Sequence, residues 1–198
     1  MKYITLILFL ICTHCFASIV GVTTHPLSEE ARVLSAEMTG YMSSRNEMGA
    51  GVRYTQGFEG TLLDMSVAGG QDSRGMSLGA GVDFEVLNED MNQPRISVKP
   101  YAQQISFEGE SSTLVGAAPS LRKGIATMGR EIFPYLSLPN GMRIESESQE
   151  FVFYSSLTFG ASMTLPNSQE KLVISLEANK NLGASSDYVG ALISWVWN

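Results

Sequence analysis

The chain is 198 residues long and carries 20 acidic against 13 basic residues, a net charge of −7 at neutral pH. That length suits one domain rather than two, and the acidic balance lacks the basic footprint of a nucleic-acid binder. Only two cysteines are present, Cys12 and Cys15, so the bulk of the chain has no disulfide and no thiolate metal site to hold it together.

The opening "MKYITLILFLICTHCFAS" has one cation, Lys2, then an apolar run to about Cys12, then small residues around Ala17. This three-part pattern predicts a secretory signal peptide over residues 1–17, and the run is too short to span a membrane as a helix. Cleavage after Ala17 removes Lys2 and both cysteines and leaves 12 bases against 20 acids, a balance of −8. Residues 18–32 then read as an N-terminal periplasmic segment and 33–198 as a single β-barrel domain.

In "LSEEARVLSAEM" the residues Leu27, Ala31, Leu34 and Met38 share a helical face, with Ser28 as a candidate N-cap. The same stretch continues with period two into "AEMTGYMSS", and a strand from about Val33 is preferred. Alternation dominates from there on. "EMGAGVRYT" is a short example. "RGMSLGAGVDFEVL" sets Leu78, Ala80, Val82 and Phe84 on one face and Ser77, Gly79, Gly81 and Asp83 on the other. "QEFVFYSSLTFGASMTL" and "KLVISLEAN" repeat the pattern. Successive strand side chains point to opposite faces, so each segment has one apolar and one polar wall.

Turn-forming clusters such as "SSRNE", "GGQDSRG", "EGESS" and "LPNSQEK" separate these runs. The spacing predicts an all-β, antiparallel up-and-down barrel of about ten strands, beginning near residues 33, 47, 60, 75, 95, 113, 131, 150, 171 and 187. Counts of eight and twelve also fit the length. The weakest segment is "TLVGAAPSLRKGI", because Pro119 suits a ladder only at a bulge or a strand end. "SLPNGM" at 137–142 reads as a local turn or bulge.

A two-faced strand has two homes. In a soluble barrel the apolar wall faces inward, and in an outer-membrane barrel it meets lipid while the polar wall lines the lumen. Water-facing strands usually carry long charged side chains, whereas the polar wall here is mostly Gly, Ser, Thr and Ala, which suits a narrow lumen. Its scattered charges have both signs, with Glu37, Asp64, Asp83, Glu85 and Glu177 against Arg53, Lys99 and Arg122. Such a set can form a lumen charge network. The alternative is a solvated outer face.

The last stretch, "DYVGALISWVWN", alternates again and closes on Trp195 and Trp197. With its export signal, cysteine-free body, strand meander and aromatic-rich closing strand, the chain resembles the small bacterial outer-membrane β-barrel class of Gram-negative cells. The resemblance is one of architecture, with no motif for a particular family. It implies a transmembrane barrel, probing the insertion machinery with its last strand, and interface aromatics drawn from Tyr188, Trp195 and Trp197. Asn198 departs from the aromatic final residue typical of the class. So do the uniformly short connections, because such barrels usually have long outer loops.

Catalytic chemistry finds little purchase. Beyond the signal the single histidine is His25, in "GVTTHPLSEE", read as a bystander far in sequence from any rim constellation, and Glu29 and Glu30 read as solvated. No second nitrogen or sulfur ligand accompanies it for zinc. "GAGV" at 49–52 and 79–82 lacks the context of a phosphate loop, and its glycines suit curvature and close packing. The expectation is therefore a non-enzymatic, monomeric outer-membrane barrel with no cofactor or metal, contacting outer-membrane lipid, in a structural or narrow-pore role. A soluble periplasmic barrel holding an apolar ligand and a barrel enzyme acting on lipid are the two rivals.

Overall fold

The computed structural model describes residues 25–42, 47–70, 75–107, 110–127, 130–146, 150–165, 172–182 and 187–197. The segment expected to be a signal peptide, both cysteines and Asn198 lie outside the described residues. The alternating segments become strands, namely β1 (Arg32–Met42), β2 (Met48–Phe58), β3 (Thr61–Gly70), β4 (Met76–Leu87), β5 (Arg95–Phe107) and β6 (Glu110–Arg122). The second half adds β7 (Ile125–Thr127), β8 (Arg130–Ser137), β9 (Asn140–Glu145), β10 (Phe151–Thr164), β11 (Leu172–Asn181) and β12 (Asp187–Trp197). The helical option for residues 27–38 is not taken. A turn covers Glu29 and Glu30, and the strand begins at Arg32.

Each strand from β1 to β6 pairs antiparallel with the next, and β10, β11 and β12 do the same. The sheet then closes on itself, because β12 also pairs with β1 from Arg32↔Trp197 to Met42↔Asp187. Between β6 and β10 run β8 and β9, end to end as one barrel strand. A single register carries Ser112↔Glu145 through Arg122↔Tyr135 and on to Thr127↔Arg130 in β7, which pairs with β8 alone. The result is a closed ten-strand antiparallel barrel with two extra strand segments.

The break between β8 and β9 has a covalent cause. Pro119 lies in mid-strand rather than at an end, opposite Leu138, whose N–H donates to the Pro119 carbonyl at 2.9 Å. An antiparallel pair would return a bond from residue 119, but proline has no N–H to give. The Leu138 carbonyl accepts instead from the Asn140 side-chain amide at 2.6 Å. Pro139, the next residue, removes a second donor, yet its carbonyl still accepts from Ser156 N at 2.9 Å. "SLPNGM" is thus an interruption within one straight strand, and the chain does not reverse there.

The walls sort in the inverted sense. In β1 the buried residues are Val33, Ser35, Glu37 and Thr39, while Leu34 and Met38 are exposed, Met38 by 56%. In β4 Ser77, Gly79, Gly81 and Asp83 are buried, Leu78, Ala80 and Phe84 are exposed, and Val82 is partly so. The largest fully buried side chain is Arg53. Little apolar core remains inside, chiefly Tyr101, Leu114 and Ala118 with Tyr154 against them. The interior is held by hydrogen bonds and ion pairs, and among the described residues the closed ladder leaves the short β7 alone with a free edge.

Candidate functional site: the lumen and its covered mouth

The even period of each strand delivers a polar side chain to the lumen at every second position, and the shared registers stack these into layers. One layer crosses the barrel. Arg53 on β2 donates to Glu37 on β1 at 2.9 Å and lies 3.7 Å from Asp64 on β3. Asp64 in turn accepts from the Lys99 ammonium on β5. Lys99 must step over β4 to do so, and it passes above Gly81, where a Cβ would stand 2.7 Å from Lys99 Cε.

The opposite wall repeats the device. Glu177 on β11 accepts from the Tyr135 hydroxyl of β8 at 2.7 Å and from the Tyr188 hydroxyl of β12 at 3.1 Å. Tyr135 reaches across β10 above Gly160, where a Cβ would lie 2.6 Å from the ring and 2.4 Å from the Leu176 carbonyl oxygen. Inward glycines therefore sit where a long inward side chain bridges two non-adjacent strands.

Nearer the chain termini the lumen charges form separate groups. Arg95 donates to Glu85 through Nε and to Asp83 at 3.3 Å. Arg122 donates to Glu89 at 3.3 Å, and its guanidinium carbon lies 5.7 Å from the centre of the Phe133 ring. The loop after β4 wraps the next cation, with the Lys123 ammonium bonding to the carbonyls of Asp90, Met91 and Gln93.

Residues 25–31 lie across this same mouth as a strap. Gly57 N donates to the Ala31 carbonyl at 2.8 Å, which ties the strap to the end of β2. At its other end His25 packs edge-on against Phe133, ring centres 5.1 Å apart, with Nε2 3.3 Å from Thr164 Oγ1 on β10. His25, far in sequence from the rim residues, is brought among them by the fold. The chain folds back over the opening and seats the ring in it. Burial first, then the Arg122 charge, lowers the His25 pKa from 6.5 to about 4. Beneath the strap is a cavity of about 930 Å³, bounded by His25, Leu27, Glu89, Arg95 and Lys123.

The eight charges expected in the lumen thus fall into one cross-lumen layer (Glu37, Arg53, Asp64, Lys99), the tyrosine-held Glu177, and the pairs built on Asp83, Glu85 and Arg122. Arg95, Glu89 and Tyr135 were not anticipated. Arg95 shares the parity of Ser97 and Lys99, and Tyr135 that of Phe133 and Ser137, so alternation alone would place both inward. Glu89 sits in a loop, where no period points to it.

On the outer wall Trp195 is 54% exposed, and the Trp197 ring lies 6.5 Å from that of Tyr54. Tyr188, expected among the interface aromatics, is corrected. It is 4% exposed and faces inward, because it has the opposite parity to Val189, Ile193 and Trp195. Among the described residues no group of three or more His, Cys, Asp or Glu side chains is placed to hold a metal ion.

No family model matches this chain, and no curated protein sequence matches it. Among solved structures it is similar to an outer-membrane channel from Pseudomonas putida F1, at 9% identity and a TM-score of 0.42, covering 89% of this chain and 99% of that one.

Proposed function

We propose that the chain is an integral outer-membrane β-barrel, monomeric and non-enzymatic, with a structural or narrow-pore role. The observation that carries the reading is the inversion of the two walls. Arg53, Glu37, Asp64 and Lys99 are 3% exposed or less, while Leu78, Val67, Phe159 and Ile193 are each 50% exposed or more. In water such an outer surface would be a large contiguous apolar patch. In a bilayer it is the lipid-facing band, and strands of ten or more residues are long enough to cross.

The soluble-carrier alternative asks for an apolar interior, whereas this lumen is polar and charged. His25 serves in packing, against Phe133 and Thr164, and this supports a role without general-base catalysis. The termini end is the periplasmic one in this reading, with β12 as the strand the insertion machinery engages.

The test has two parts. The membrane fraction should hold a species that runs fast on a gel until boiled. Spin labels at Leu78 and Ser77 should then report lipid contact at the first and none at the second. A label at Leu78 that contacts neither lipid nor detergent would sink the reading. Met65→Arg, on the outer wall near the middle of β3, should cost about 2–4 kcal/mol in bilayers.

A further inference from the structure

Taken together with Glu177 on the opposite wall, the cross-lumen layer is not charge-balanced. Three carboxylates, Glu37, Asp64 and Glu177, meet two cations, Arg53 and Lys99. Glu177 receives hydrogen bonds from two neutral tyrosine hydroxyls, Tyr135 and Tyr188. Glu37 Oε1 and Asp64 Oδ1 are buried and accept no hydrogen bond, although these residues are 2% and 3% exposed. Two buried carboxylate oxygens in this layer are thus left without a donor. The termini-end charges do not offset this, because Arg95 is held by Asp83 and Glu85, and Arg122 by Glu89. Lys123 spends its donors on backbone carbonyls of its own rim.

Resting on the outer-membrane reading, we infer that this layer makes the lumen selective for small monovalent cations, with Glu37, Asp64 and Glu177 as the selectivity-determining residues. A pore lined by one sign of charge within low-dielectric walls concentrates the counter-ion and excludes the co-ion. Glu37 Oε1 and Asp64 Oδ1 offer a cation that reaches them partial replacement for its hydration shell, and the surplus carboxylate disfavours an anion. Arg53 and Lys99 set how far the layer is closed. Both reach into the lumen, and removing either widens the constriction while leaving the carboxylates in larger excess.

The experiment measures reversal potentials across planar bilayers in asymmetric potassium chloride. It uses the full-length barrel, Arg53→Ser and Lys99→Ser, each first shown to be folded by heat-modifiable mobility. The unaltered barrel should show at most a small leak, already favouring potassium. Arg53→Ser and Lys99→Ser should conduct more and prefer potassium over chloride several-fold. Adding Glu37→Gln with Asp64→Asn to Arg53→Ser should bring the permeability ratio back towards one. Chloride preference, a ratio indifferent to the carboxylate changes, or no leak in any of the three proteins would overturn the inference. Heat-modifiable mobility keeps that failure separate from failure of the membrane reading. A folded, inserted barrel with the wrong selectivity sinks only the cation assignment.

Discussion

The lumen has two halves made by the same strands, and they hold different chemistry. From the middle towards the chain termini it is charged, and its contacts leap over strands, from Lys99 on β5 to Asp64 on β3 and from Tyr135 on β8 to Glu177 on β11. Towards the other end hydroxyls and short amides line more of the wall, beside Glu47 and the Arg143–Glu145 pair, and many contacts join neighbours, as when Asn179 on β11 donates to Ser156 and Thr158 on β10 at 3.0 and 2.6 Å. A long charged side chain can cross a narrow barrel, whereas a hydroxyl or short amide can only tile its wall. The strap from His25 to Ala31 covers the half that the charged crossings span.

The largest expected effect tests whether these crossings could hold the barrel without its ladder. β12 contributes Tyr188 and Gly190 to one half and Leu192 and Ser194 to the other, and it is bonded along its length to both β1 and β11. Removing residues 187–198 opens two edges whose N–H and C=O groups would face lipid at several kcal/mol each. The loss exceeds the net stability of an ordinary domain, about 5–15 kcal/mol, so the truncated chain should not insert. Membrane-fraction yield and heat-modifiable mobility read the result. Trp195→Ser with Trp197→Ser should be milder, since the ladder survives. Normal insertion of the truncated chain would mean that side-chain bridges, rather than closure, hold the fold.

A smaller effect separates the halves directly. Gly160→Ala places a methyl group against the Leu176 carbonyl and under the Tyr135 ring, so the bridge to Glu177 must shift. Overpacking of this kind costs about 1–3 kcal/mol. Two residues along, Thr158→Val keeps the shape and removes one acceptor of Asn179 in the hydroxyl-lined half, a loss of about 1 kcal/mol. Urea unfolding in lipid vesicles compares the two. Equal costs would erase the distinction between a crossing and a tiled wall.

Alternation carried much of this architecture, because period two fixes which residues share a wall whatever the strand's partner. It placed Ser77, Gly79, Gly81 and Asp83 against Leu78, Ala80 and Phe84, and ten starts near the observed ones. The pairings inside the lumen were not legible. Lys99 and Asp64 are 35 residues apart, and their contact depends on the glycine that β4 happens to present between them. Parity would have caught Tyr188, Arg95 and Tyr135 had it been applied to every strand. The strap's seat could not be read, since the helical spacing of Leu27 and Ala31 pointed elsewhere and the position of residues 25–31 is set by Gly57, Phe133 and Thr164, remote in sequence.

The smallest expected effect concerns that strap. The docked His25 has its pKa lowered to about 4, chiefly by burial and then by Arg122, whereas an undocked ring keeps its ordinary value near 6.5. The undocked state therefore binds the proton first. Docking is at full strength above about pH 6.5 and weakens as the pH falls from there towards 4, below which both states are protonated and no further change follows. A spin label at Leu27 should become more mobile over that window while the barrel itself stays folded. His25→Gln, which keeps a polar group within reach of Thr164 and has no proton to take up, should flatten the profile. A label whose mobility ignores pH, or one that responds equally in His25→Gln, would show that the ring's burial does not hold the strap over the charged half.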